Sequence, residues 1–221
     1  MQMSQKSYSF YSKNRKFELH TSQKELKDLF IAWLIISISF AIVRSATYEN
    51  IAISGYFSIN FLLLILISGV TVGFGFLMHE MAHKIIAQRY KCWAEFRADT
   101  TMLILALIMS FFGFVFIAPG AVVIFGHIND KQNGHISLAG PLTNIILAIL
   151  LLPLLFLSTS NPLLKEIISS GFLINAWLGL FNMMPFWNFD GAKIYRWSKP
   201  AYFTTLIVAG LLLFIFFRGA I

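Results

Sequence analysis

Two histidines and a glutamate stand close together in the stretch FLMHEMAHKIIAQRY, which covers residues 76–90. His79 and His83 are four residues apart, so on an α-helix their side chains differ by about 40° in azimuth and lie one turn apart. Their ring nitrogens can therefore bind one metal ion, and Glu80 can reach a water molecule on that ion. This spacing is the HExxH pattern of zinc enzymes, in which two imidazoles bind zinc and the carboxylate takes a proton from water.

A catalytic zinc ion needs a third protein ligand and an open position for water. Asp190 is the main candidate, because it follows an apolar segment interrupted by Pro185 and precedes Gly191. A carboxylate in such a break would lie at the height of the two histidines. The simpler alternative is that Asp190 caps a short helix over 191–197. If Asp190 does not bind the metal, the remaining candidates are His127, Asp99 and Glu95.

The chain around these residues has the composition of a membrane protein. Of its 221 residues, 57% are hydrophobic and 12% are charged, whereas soluble domains average about 25% charged residues. Several apolar segments approach the roughly 20 residues that cross a bilayer. We therefore expect an all-α polytopic membrane protein with five to six transmembrane helices, and no role in nucleic-acid binding. The single cysteine, Cys92, excludes an internal disulfide.

The HExxH motif is expected on one long helix over about 57–90. A capping box from Ser22 to Glu25 predicts an earlier helix that starts near Gln23. Residues 91–100 are polar and predict a loop. Gly113 and the β-rich run AVVIF divide the next segment, which predicts a short helix followed by a small membrane-embedded β-hairpin. The remaining predicted elements are strands 114–117 and 121–125, and helices 136–158, 165–185, 191–197 and 200–217.

The distribution of positive charge predicts the orientation in the membrane. With five spanning helices, fourteen of the 17 lysines and arginines fall on the side of the N-terminus, and three fall on the other side. Cytoplasmic loops carry such an excess, so we expect a multi-pass cell-membrane protein whose residues 1–27 form a cytoplasmic segment. The three residues on the outside are Arg44, Lys165 and Arg218; the fourteen are Lys6, Lys13, Arg15, Lys16, Lys24, Lys27, Lys84, Arg89, Lys91, Arg97, Lys131, Lys193, Arg196 and Lys199.

Other polar residues give weaker indications. His127 and His135 flank the turn GHINDKQNGH, which we interpret as an interfacial loop rather than a second metal site. Asn144 lies about one turn inside a predicted membrane helix. Capping does not explain an asparagine at that depth, so we expect it to take part in the site.

The sequence resembles the site-2 proteases, a family of intramembrane zinc metalloproteases. The motifs that carry the resemblance are HEMAH at 79–83, AGPLTN at 139–144 and NMMPFWNFDG at 182–191, in the order of the family. They cover a catalytic core of about 57–197 within a single domain of 28–221. Asn188 and Phe189 depart from the proline and leucine that the family often has before the aspartate.

The resemblance implies one zinc ion bound by His79, His83 and Asp190, with Glu80 as the catalytic residue. It also implies that Asn144 and Asn182 hold the substrate backbone or the developing oxyanion. The expected substrates are transmembrane proteins in the lipid bilayer. Two alternatives from other functional classes are a membrane metal carrier or transporter, and a pseudo-protease that binds membrane segments without cutting them. The intact Glu80 argues against the second of these.

Overall fold

The structure is a computed structural model that describes residues 19–48, 59–115, 119–157 and 160–218. Residues 1–18 of the predicted cytoplasmic segment lie outside the described residues. Within the described ranges the chain forms α1 (Gln23–Tyr48), α2 (Ile59–Ser68), a π-helical turn (Gly69–Gly73), α3 (Phe74–Arg89), β1 (Trp93–Ala98), α4 (Thr100–Ser110), β2 (Gly120–Phe125), α5 (Asp130–Leu155), α6 (Pro162–Phe181), α7 (Asp190–Trp197) and α8 (Lys199–Phe217).

Five helical stretches of the described chain are long and apolar enough to cross a membrane. The 11 residues of α4 rise only about 16 Å and cannot cross a hydrocarbon core of roughly 30 Å. The protein is thus an all-α polytopic membrane protein with one small sheet, as the sequence predicts. The five stretches are Gln23–Ser45, Ile59–Arg89, Asp130–Leu155, Pro162–Phe181 and Lys199–Phe217.

A π-helical turn interrupts the long helix before the HExxH motif. The indole Nε1–H of Trp33 on α1 donates to the carbonyl oxygen of Gly69 at 3.0 Å. A Cβ on Gly69 or Gly73 would lie 2.8 or 2.5 Å from the Trp33 ring. Glycine is therefore required at both positions for α1 to pack against the turn, and this packing fixes where α3 begins.

The small sheet differs from the predicted hairpin. Strand β2 pairs with β1 in antiparallel register, with Phe96 opposite Val122, where the sequence predicted pairing with 114–117. Residues 114 and 115 form no strand, and 116 and 117 lie outside the described residues. The prediction of a loop over 91–100 was also wrong, because residues 93–98 form β1.

Strand β1 is stabilised because its side chains pack against the helices. Phe96 is fully buried and meets Phe76 of α3 edge to face, with ring centroids 5.7 Å apart. The charges that suggested a loop neutralise each other, since Arg97 forms an ion pair with Glu95. The strand therefore packs directly against the helix that carries the HExxH motif.

Helix α5 is the central element and packs against α3, α6 and α7. It begins at Asp130, earlier than the predicted 136, because Asn129 and Gln132 form a capping box. Consequently His135 lies on the helix and not in an interfacial loop. Its Nδ1 is hydrogen-bonded to the hydroxyl of Tyr90, so it joins the start of α5 to the end of α3.

Candidate metal centre

Three potential metal ligands meet where α3 and α7 face each other. The Nε2 atoms of His79 and His83 are 3.0 Å apart. The Oδ2 atom of Asp190 lies 3.3 Å from the first and 3.1 Å from the second. All three side chains are buried. Within the described residues, these are the His, Cys, Asp and Glu side chains whose ligand atoms converge closely enough to hold a metal ion.

The arrangement fits zinc. In a tetrahedral site with metal–ligand bonds of about 2.0–2.1 Å, two ligand atoms are roughly 3.3 Å apart, which is close to the separations of 3.0, 3.1 and 3.3 Å found here. Two imidazoles and one carboxylate are also a donor set of catalytic zinc sites, which leave the fourth position for water. Without a proton or a cation between them, these lone pairs would repel one another.

Hydrogen bonds at the far side of each imidazole direct Nε2 toward the centre. His79 Nδ1 lies 2.6 Å from Asn144 Oδ1, and His83 Nδ1 lies 2.7 Å from the carbonyl oxygen of Ile136. Both partners are acceptors, because the amide nitrogen of Asn144 donates elsewhere. Each histidine therefore carries its proton on Nδ1 and keeps the Nε2 lone pair for a metal.

The amide of Asn144 is itself held in place. Its Nδ2 donates to the carbonyl oxygen of Gly75 at 3.1 Å and to Asn175 Oδ1 at 2.9 Å. The Nδ2 atom of Asn175 donates in turn to the carbonyl oxygen of Gly171 at 2.8 Å. This chain of hydrogen bonds orients Asn144 so that its oxygen faces His79, and it links α3, α5 and α6 behind the site.

Gly140 of the AGPLTN motif lies directly beside the ligand atoms. A Cβ at this position would lie 2.4 Å from His83 Nε2 and 2.5 Å from His79 Nε2. Any side chain here would occupy the space next to the two nitrogens. Glycine at 140 is therefore required for α5 to approach the centre.

Asp190 reaches the centre because the chain folds back sharply after α6. The N–H of Gly191 donates to the carbonyl oxygen of Asn182 at 2.7 Å, and a Cβ on Gly191 would lie 2.3 Å from the backbone of Met183. The Asp190 carboxylate then lies within 3.3 Å of the Nε2 atoms of both histidines. A metal cation bound between these atoms would favour the ionised form of the carboxylate.

A protein of Methanocaldococcus jannaschii that is named "Putative zinc metalloprotease" is 41% identical to this chain over 179 residues. The match covers 80% of this chain and 86% of the relative. The chain belongs to the site-2 protease-like zinc metalloproteases. No family model matches the chain, and no solved structure matches it either.

In this site-2 protease-like centre, Glu80 lies beside the ligands without being one of them. It is 8% exposed and directly follows His79 on α3. Its carboxylate interacts electrostatically with both histidines and with Asp190. Glu80 thus lies on the helix that carries both histidines, and its catalytic role stays a prediction.

The two asparagines expected to bind substrate have other contacts in the structure. Both amide protons of Asn144 are donated, to Gly75 and to Asn175. The Nδ2 atom of Asn182 donates to the carbonyl oxygen of Leu178, one turn earlier in α6. Asn144 therefore positions His79, and Asn182 caps the C-terminal end of α6. Substrate binding by either residue stays a prediction.

The alternative third ligands lie in other arrangements. Asp99 accepts the N–H of Met102 and so caps α4, and Glu95 is paired with Arg97. His127 is exposed. None of these three belongs to the converging group within the described residues.

Asn175 is a residue of the centre that the sequence analysis did not identify. It is 3% exposed and lies in the middle of the apolar helix α6. A polar side chain inside a membrane helix indicates a function or a fixed partner, so this signal was present in the sequence. The role of the Ile136 carbonyl oxygen left no such signal, because every residue has a carbonyl group.

Proposed function

We propose that this chain is an intramembrane zinc endopeptidase that hydrolyses peptide bonds within or near transmembrane segments of membrane proteins, with one zinc ion. The observation that carries the proposal is the depth of the centre. His79 lies ten residues before Arg89, where α3 ends, which corresponds to about 15 Å along the helix. The two histidines therefore lie inside a helical stretch that is long enough to cross the membrane.

In the proposed reaction, His79, His83 and Asp190 would hold the zinc. When bound, zinc supplies Lewis-acid chemistry, which polarises the scissile carbonyl and makes water acidic enough to react near neutral pH. Glu80 takes a proton from the attacking water as the new C–O bond forms, and gives a proton to the leaving amine as the C–N bond breaks. Asn144 and Ile136 keep the imidazoles oriented throughout.

The proposed orientation places the N-terminus in the cytoplasm. The excess of lysine and arginine on that side supports it. The centre then lies nearer to the cytoplasmic end of α3, so water reaches Glu80 from the cytoplasm.

We propose that an unwound substrate segment pairs with β2 as an additional strand. The outer edge of β1 is not available for this. The N–H of Phe96 donates to Glu25 Oε1 at 3.0 Å, and the carbonyl oxygen of Ala94 accepts from Gln88 Nε2 at 3.1 Å. Side chains of α1 and α3 thus take the hydrogen-bonding groups that a further strand would need.

The same contacts show which residues of β2 face outward. Because Ala94 and Phe96 turn their backbone groups away from β2, their partners Ile124 and Val122 turn theirs away from β1. No strand lies beside this outer edge in the described part of the chain. An extended peptide can pair there through backbone hydrogen bonds alone, which suits an enzyme that accepts varied side chains.

Two substitutions test the function, using the full chain in detergent or vesicles and a model transmembrane substrate. Glu80→Gln should keep zinc, since the ligands remain, and abolish cleavage. Asp190→Ala should lose zinc together with cleavage. Asp130→Asn serves as a control, because it removes an exposed carboxylate at the start of α5.

Each contrary result would refute a different part of the proposal. Cleavage at the parental rate by Glu80→Gln would remove Glu80 as the base. Stoichiometric zinc in Asp190→Ala would move the third ligand elsewhere. A parent protein that binds zinc and cleaves no substrate, with or without added metal, would refute the protease function.

A further inference from the structure

Lys193 lies one turn after Asp190 on α7, on the side of the metal centre. Its Nζ atom is 3.8 Å from Asp190 Oδ1. The other oxygen of that carboxylate, Oδ2, faces His79 and His83. The ammonium group is therefore next to the ligand set, and it also interacts electrostatically with Glu80.

The ammonium group of Lys193 retains its hydrogen-bond donors. A separation of 3.8 Å is longer than a hydrogen bond of about 2.7–3.2 Å, so the contact with Asp190 is a charge interaction only. The side chain is 32% exposed. Because an ammonium has three N–H groups, Lys193 can donate to a substrate that enters the centre.

Two asparagine side chains near the centre already donate hydrogen bonds. Both amide protons of Asn144 have acceptors, and the amide of Asn182 donates to Leu178. Asn144 cannot stabilise a substrate oxyanion without losing an existing hydrogen bond, whereas Asn182 keeps one N–H beside its bond to Leu178. A hydrolysis of this kind places negative charge on the carbonyl oxygen, and donors aimed at that charge are a large part of catalysis.

Three other cations of the described chain are paired with carboxylates away from the centre. Lys84 is fully buried and bound to Glu25. Arg97 is paired with Glu95, and Arg44 is paired with Glu166. Lys193 is the cation that the fold places against a candidate metal ligand.

We infer that Lys193 is a further catalytic residue, whose ammonium donates a hydrogen bond to the scissile carbonyl oxygen as negative charge develops on it. The inference rests on the proposed protease function. Water adds to the carbonyl carbon and gives one proton to Glu80, while the electron pair of the C=O double bond moves to the oxygen facing Lys193. When the C–N bond breaks, the pair returns to the carbonyl and Glu80 protonates the amine. Lys193 donates this hydrogen bond without transferring a proton.

The test compares the parent with Lys193→Met, Lys193→Gln and Lys193→Arg in the full chain. Loss of one oxyanion donor typically lowers kcat by about 10²–10³-fold. We expect a loss of about 100-fold in the Met and Gln variants, with KM within about twofold of the parent and partial recovery in Arg. Arg196→Gln is the matched control, since it removes an exposed positive charge from the same helix, six residues after Asp190.

Two measurements that do not depend on turnover separate this role from a structural one. The zinc affinity of the metal-free protein, measured by chelator competition, should be equal in the parent and in Lys193→Met. The dissociation constant of a phosphinic peptide, whose anionic oxygens resemble the tetrahedral intermediate, should rise at least about tenfold in Lys193→Met.

The outcomes are distinct. Parental kcat in both neutral variants would overturn the inference and leave the protease function intact. A loss of activity that follows a loss of zinc affinity would overturn it as well, because Lys193 would then act through Asp190. A parent that neither cleaves the substrate nor binds the phosphinic peptide would refute the proposed function and this inference with it.

Discussion

Proline substitutions at two neighbouring positions of β2 test the pairing of substrate with the sheet. The register makes their effects different. Val122 lies opposite Phe96, whose N–H points away toward Glu25, so the N–H of Val122 points to the free edge. Val123 lies opposite Glu95 and points its N–H into the ladder. Proline removes the donor in both cases, but only Val122→Pro removes one that a substrate would use.

The expected magnitudes follow from the bonds that are lost. One backbone hydrogen bond contributes about 0.5–1.5 kcal/mol net, so Val122→Pro should raise KM about two- to tenfold without changing kcat or zinc content, and should lower the melting temperature no more than Val122→Ala does. Val123→Pro leaves the carbonyl of Glu95 without its ladder donor, at a cost of about 1–3 kcal/mol. That variant should lower the melting temperature and increase proteolytic cutting between β1 and β2.

The assay measures KM and kcat on a model transmembrane substrate, together with thermal unfolding in detergent. Val122→Ala is the control, because it trims the packing of Val122 on the core around Phe96 and keeps the N–H. A KM of Val122→Pro equal to that of Val122→Ala would remove strand addition at β2. A melting temperature that falls equally in both proline variants would show that the deduced register is wrong.

Two further predictions concern the centre and the topology. Asn144→Leu should fold and weaken zinc binding or activity about 10–100-fold, as for other residues that orient a ligand histidine; unchanged zinc affinity in chelator competition would show that His79 needs no such support. In a Cys92→Ser background, cysteines replacing the exposed Lys131 and Arg196 should be labelled from the cytoplasmic side, and one replacing the exposed Lys165 from outside. Labelling of all three from one side would contradict the five-span topology.

Sequence alone predicts those parts of the metal centre whose geometry is set by residues close together in the chain. His79 and His83 converge because four residues make about one helical turn, which is a property of any α-helix. Asp190 could be predicted because Pro185 and Gly191 mark the break that brings a carboxylate back to the histidines. The orientation of the imidazoles could not, because it depends on α5 and α6 meeting α3 at a particular height, and no local pattern records that height.

The sheet was mispredicted for a related reason. Pro119-Gly120 is a strong local turn signal, and it favoured a hairpin between neighbouring segments. The real partner of β2 lies more than twenty residues earlier in the chain. Its charges made it resemble a loop, although Glu95 and Arg97 neutralise each other and Phe96 is buried. Strand pairing of this kind is decided by tertiary contacts that override local propensity.

The buried ion pair of Lys84 and Glu25 shows how the sheet and the centre are held at a fixed distance. Lys84 directly follows His83, and its Nζ lies 2.5 Å from Glu25 Oε2. The second oxygen of Glu25 accepts the N–H of Phe96, so one carboxylate joins α1, α3 and β1. Removing one charge of a buried pair costs about 3–5 kcal/mol, and these three elements are therefore strongly coupled. A peptide added to β2 would consequently approach the histidines of α3 in a constant register, and the same Glu25 carboxylate keeps the outer edge of β1 closed to it.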